Sequence, residues 1–126
     1  MSKQTNNLYY LLVFRLLFQI LKPIRIKYKL SINAILILNS CYLYSKLVKV
    51  EFYKTDILKF TRYLNSIRIK YYIETLALGG FISPINPDQP NVKYILTSKG
   101  IDCINEIDQY YSKELYLFAD RYHLEL

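Results

Sequence analysis

The chain has 126 residues and a mass of 15.1 kDa, the size of one ordinary domain. Its residues are 52% apolar, 16% aromatic and 21% charged, with three glycines and four prolines. That composition excludes general disorder, a linker and, for want of turn formers, a sandwich or barrel of many short strands. The net charge of +7 is unevenly spread: residues 1–99 hold 15 Lys/Arg and four Asp/Glu, residues 100–126 two and six. A basic body with an acidic terminal segment fits a nucleic-acid binder.

Residues 5–21 read as a first helix, capped by Thr5 or Asn6 and ended by Pro23. Its apolar run, Leu8 to Leu21, is interrupted by Arg15 and Gln19 and is shorter than the roughly 20 residues a membrane span needs. Lys22-Pro23 does not resemble a secretory cleavage site. The expectation is therefore a cytoplasmic protein with no membrane partner. Ile24 to Lys29 alternates apolar and basic residues, as an extended segment or a connecting loop with one basic face would.

Ser31 opens a second helix, 31–46, with Ile32, Ile35, Leu36, Leu38, Leu43 and Leu47 as its buried face. Val48, Val50 and Phe52 alternate with Lys49 and Glu51, the pattern of a short strand. Thr55-Asp56 starts a short third helix, 55–61, with Asp56 placed to suit the helix dipole. Asn65 or Ser66 caps a fourth helix running to Leu78, whose inward residues are Ile69, Ile73 and Leu76. Gly79-Gly80 stops it. Residues 81–97 form a hairpin around the turn Asn86 to Asn91. Thr97-Ser98 caps a last helix, 98–122, with Ile101, Ile104, Ile107, Tyr111, Leu115 and Phe118 on one stripe.

Little in the chain suggests chemistry. Cys41 and Cys103 sit in apolar helical patterns and read as small core residues. His123 is the single histidine, and neither a CxxC pair nor a Cys/His cluster exists for zinc. A glycine-rich phosphate loop and a G-x-S-x-G elbow are also missing. Asp102, Glu106 and Asp108 read as a solvated face. The expectation is no enzyme, no cofactor and no metal. The pairs Tyr9-Tyr10, Tyr71-Tyr72 and Tyr110-Tyr111 are expected to give one core ring and one rim ring each, because adjacent helical residues point about 100° apart.

A short helix, a turn and a second helix make a helix-turn-helix, and a hairpin directly after it is a wing. Leu76-Ala77-Leu78-Gly79-Gly80-Phe81-Ile82 resembles the end of a recognition helix running into a wing strand. Tyr94-Ile95-Leu96-Thr97-Ser98-Lys99-Gly100 resembles the returning wing strand followed by Leu-Thr-x-x-Gly and the next helix. Leu30-Ser31 is similar to the Leu-Thr start of the second helix in the multiple-antibiotic-resistance (MarR) regulators. The resemblance to these winged helix-turn-helix regulators covers nearly the whole chain. It implies a mostly α fold with a small β-hairpin wing in a single domain. Residues 31–97 would be the winged helix-turn-helix core, and 1–30 and 98–126 the flanking segments, with helices 5–21 and 98–122 joining two copies as a homodimer. It further implies double-stranded DNA as partner and a possible small-molecule effector.

On that reading the helix at about 65–78 enters the major groove, with the wing 81–97 beside it. Ile67, Arg68, Lys70, Tyr71 and Glu74 project to its outer half. Arg68 and Lys70 suit phosphates or guanine edges, and Tyr71 stands where the family tends to place a reader. Asn65 and Ser66 offer phosphate contacts at the helix N-terminus, and Arg62 precedes it in the turn. Lys54 and Lys59 flank the short helix, and Lys93 and Lys99 bracket the wing. The expected DNA-binding set is Lys54, Arg62, Asn65, Ser66, Arg68, Lys70, Tyr71 and Lys93. The alternatives are a winged helix used for protein contact, suited by the tyrosine-rich flanks and a wing tip without arginine, or a replication or mobile-element accessory DNA-binding protein.

Overall fold

The computed structural model describes residues 3–62 and 64–123, with the side chains of all of these except 3–7, 9, 10, 13, 18 and 20. The order is α1 (Lys3–Tyr28), α2 (Ile32–Leu47), α3 (Lys54–Thr61), α4 (Ser66–Leu78), β1 (Ile82–Pro84), β2 (Tyr94–Leu96) and α5 (Ser98–Tyr122). The protein is mostly helical, with one small antiparallel hairpin. Up to Lys29 and from Asn105 onward the chain forms one compact unit; Leu30–Ile104 forms the other.

The first unit holds α1 and most of α5. Leu12, Leu16 and Leu115 are buried together, with Tyr111 and Phe118 packed against them. Lys27 pairs with Glu106, and the Tyr28 hydroxyl donates to the same carboxylate at 3.0 Å.

Three expectations for the first 29 residues are corrected. Thr5 and Asn6 lie inside α1 rather than capping it. Pro23 does not end the helix, and residues 24–28 are helical, neither extended nor a loop. The reason is spacing: Leu21 and Ile24 are buried, Tyr28 is half-buried on the same side, and Ile26 is 69% exposed. Those positions repeat at helical period, and burial at that period outweighs the alternation. Lys29 ends the helix in the left-handed region at φ 57°.

The second unit packs α2 on α3 and α4, α3 on α4, β1 on α4 and β2 on α2. Ser31 caps α2 by accepting from the Ala34 amide at 3.1 Å. The helix buries Ala34, Ile35, Ile37, Leu38 and Cys41. Each Ile or Leu buried here is worth about 1.5–3 kcal/mol. Leu43 and Leu47 are corrected: they are 39% and 72% exposed. At 100° per residue they fall about half a turn from the Ala34–Leu38–Cys41 face.

The expected strand at 48–52 is reduced to one antiparallel bridge, Phe52 with Tyr94. Their amides and carbonyls exchange two hydrogen bonds, at 2.8 and 3.0 Å. Val48 and Val50 are 62% and 67% exposed, so no burial draws them into the sheet. In the hairpin, Ile82, Ser83 and Pro84 pair with Leu96, Ile95 and Tyr94.

Thr97 starts α5 as expected, accepting from the Gly100 amide at 3.2 Å. In its first turns the buried residues are Gly100, Cys103 and Ile104. Ile101, expected on the buried stripe, sits at its rim and is 37% exposed. Cys41 and Cys103 are both buried, as expected of small core residues. Burial pushes the Cys41 thiol far above its ordinary range.

Candidate nucleic-acid interface

The site is built on α3, the turn after it and α4. Asp56 accepts from the Tyr53 amide at 2.8 Å and fixes the start of α3. Its charge adds to burial in raising the Tyr44 hydroxyl's pKa, burial being the larger cause. Arg62 closes α3 in the left-handed region at φ 65°, its amide on the Leu58 carbonyl and its Nε on the Lys59 carbonyl, both at 3.3 Å. Asn65 then caps α4: its side chain accepts from the Arg68 amide at 2.9 Å.

α4 buries Ile69, Tyr72, Ile73 and Leu76, which turns its other side outward. Its end is a left-handed turn of the expected kind. Gly80 has φ +81°, its amide bonds to Ala77, and the Phe81 amide reaches back to Leu76. That turn aims Phe81 and Ile82 into the core and starts the hairpin. Gly100 packs so closely that a Cβ on it would lie 2.2 Å from the Phe81 carbonyl oxygen. α4, the hairpin and the start of α5 are therefore locked at one point.

The outer side of α4 presents Ser66, Ile67, Arg68, Lys70, Tyr71 and Glu74, all exposed. Ile67 is 78% exposed and Tyr71 61%. The Tyr71 ring is braced edge-on against the buried Tyr72 ring, 5.2 Å away, and the Tyr72 hydroxyl accepts from Asn33 on α2 at 3.1 Å. This pair gives one core ring and one rim ring, as expected. Tyr111 is half-buried beside an exposed Tyr110, and the Tyr9-Tyr10 side chains lie outside those described.

Between α3 and α4 runs an open groove of about 230 Å³, with apolar walls from Leu58, Ile67 and Ile69. Lys54 and Thr55 border it from α3, Ser66 and Lys70 from α4. The fold thus brings Lys54, Ser66 and Lys70 together, with Arg68 and Tyr71 on the same helix as the last two. Among the described residues no acidic group pairs with Lys54, Lys59, Arg62, Arg68 or Lys70.

Three residues of the expected set, Arg62 through its Nε, Asn65 and Lys93, are engaged in structural contacts, as is Lys99, expected to bracket the wing. The Asn65 side chain is committed to its cap. Lys93 lies on the hairpin, half-buried, with its ammonium 3.6 Å from Glu51 and 5.7 Å from the Tyr53 ring centroid. Lys99 donates to the Gly79 carbonyl at 2.8 Å. Sequence reasoning missed Thr55 and Leu58 as groove residues, because their place depends on how two helices meet.

No family model and no curated protein sequence matches the chain. Among the described residues no helix is long and apolar enough to cross a membrane, and no group of three His, Cys, Asp or Glu could hold a metal ion.

Proposed function

We propose that this chain is a sequence-reading, double-stranded-DNA-binding regulator of the winged-helix type, similar to the MarR regulators. The observation that carries the reading is the outer face of α4. Arg68 and Lys70 stand there without acidic partners among the described residues, on a helix whose opposite face is anchored in a three-helix core. Such a helix has the 10–12 Å diameter that the major groove of about 12 Å admits. Lys54, Lys59 and Arg62 supply further cations on and just after α3, where phosphates would pass. The hairpin following α4 stands in chain order where a wing would. No catalytic chemistry and no cofactor are assigned.

The regulator acts as a homodimer in this reading, so that two α4 helices meet successive major grooves about 34 Å apart. Apolar exposure on α1, at Leu11 (65%) and Phe14 (71%), and on α5, at Leu117 (56%), supports helices 5–21 and 98–122 as the joining surfaces. The charges suit each other: α1 carries only basic charges, and α5 is net acidic.

The test is binding to labelled duplex DNA, including the chain's own upstream region, across a salt series. Tight binding that resists competitor DNA establishes the reading; loss of all signal to competitor leaves non-specific affinity only. One observation favours a protein-contact module instead. Leu78 on α4 is 91% exposed, more than any other large apolar residue of the described chain. That reading gains if no duplex binds at low salt.

A further inference from the structure

The outer face of α4 has a chemical character that its charges alone do not describe. At 100° per residue, Ile67, Tyr71, Glu74 and Leu78 fall within an arc of about 60°. That arc lies opposite the buried Ile69, Ile73 and Leu76. Arg68 and Lys70 flank it, one on each side. The central stripe in the N-terminal half of the helix is therefore apolar, Ile67 and Tyr71, between two cations. It holds neither Asn nor Gln, the side chains that pair bidentately with adenine.

We infer that α4 reads thymine 5-methyl groups through Ile67 and Tyr71, so that the chain's target is a duplex with thymines under this stripe. The inference rests on the DNA-binding reading above and deepens it. The flanking cations select a polyanion as the occupant, which sets this face apart from one made for an apolar protein surface. In the major groove the apolar group a base pair offers is the thymine methyl. Two features of the structure prepare the contact. Ile67 is β-branched and stiff at χ1. The Tyr71 ring is held against Tyr72, whose hydroxyl is tied to Asn33, so its position is set before any ligand arrives. Little side-chain freedom is then lost on binding.

The experiment uses the full chain and duplexes it selects from a random 30-base-pair pool. Each selected duplex is made twice, once with thymine and once with deoxyuridine, which pairs identically but lacks the methyl. The expected result is about four-fold weaker binding for each methyl lost, the worth of one buried CH₂. Ile67→Ala is expected to bind the thymine duplex more weakly and to respond less to deoxyuridine. Ile67 is exposed, so this variant keeps the core, and an unchanged circular dichroism spectrum checks it. Equal affinity of the native chain for the two duplexes overturns the inference and leaves the DNA-binding reading standing. A preference that persists undiminished in both Ile67→Ala and Tyr71→Ala also overturns it, since the methyls then act through duplex shape. Selection of no duplex at all overturns both.

Discussion

The Lys99 ammonium donates to the Gly79 carbonyl at 2.8 Å, twenty residues back along the chain, and lies 4.5 Å from the Phe81 ring centroid. A residue that sequence placed beside the wing as a basic flank is instead a cation on the C-terminal end of α4, where the helix dipole favours it. Lys99→Met is expected to destabilise the fold by about 0.5–1.5 kcal/mol, from the lost hydrogen bond and dipole contact. Its DNA affinity at a given salt should stay unchanged. Urea denaturation and the duplex assay together check this.

Gly100 offers a sharper stability test. Any Cβ there meets the Phe81 carbonyl at 2.2 Å, so backbone must move. Gly100→Ala is expected to cost about 3 kcal/mol or more. Gly80→Ala meets no such crowding but must hold φ +81°, which costs about 1–2 kcal/mol. Denaturation midpoints that reverse this order would show that α5 can shift away from the hairpin.

Arg68, Lys54 and Lys70 should separate in their effects on duplex binding. Arg68→Ala is expected to lose about 1–3 kcal/mol and relax the sequence preference at one position, as a base reader would. Lys54→Ala and Lys70→Ala, bordering the groove, are expected to weaken all duplexes alike and to reduce the salt slope by about 0.9 each. Titrations at several salt concentrations distinguish the two patterns, and an unchanged slope removes that lysine from the phosphate contacts.

The Lys27–Glu106 pair makes stability depend on pH at both ends. Its hydrogen bond, with a second from Tyr28, holds the Glu106 carboxyl below its ordinary range, and the same pairing raises Lys27. A lowered carboxylate contributes above its unfolded pKa and loses that contribution as pH falls through the folded value. A raised ammonium contributes below its unfolded pKa and loses it as pH climbs through the higher folded value. Glu106→Gln should lower stability modestly near neutral pH, the Lys27 side chain being largely exposed, and should flatten it by the same amount below about pH 4.5 and above about pH 10.5. Thermal melts across pH check this, and a variant that melts in parallel with the native chain at both ends would remove the pair from the account.

Both thiols are buried. With Cys41 further pushed toward the protonated form, Ellman's reagent at pH 8 should find no reactive thiol in the native protein and two after unfolding.

What sequence disclosed was mostly local. The Asn65 cap, the Gly79-Gly80 stop and the 98–122 helix were legible because each depends on neighbours within a few residues. The outer face of α4 followed from the same periodicity. The errors lie where tertiary burial overrode a local pattern. Alternation at 24–29 lost to the Leu21–Ile24–Tyr28 spacing, and Val48 and Val50 lacked a partner to make them a strand. The groove between Thr55 and Ser66 could not be read at all, since it exists only once two helices meet.

Pro23, carried inside α1 and exposed to solvent, brings no amide to the helix, so the Gln19 carbonyl has no i+4 donor. A helix of 26 residues, about 39 Å long, is thus a ladder with one rung missing near its C-terminal third. The turn from Ile24 to Tyr28 is therefore held by side chains, Ile24 in the core and Lys27 and Tyr28 on Glu106, so Glu106→Gln is expected to speed amide exchange there more than in the turns before Pro23.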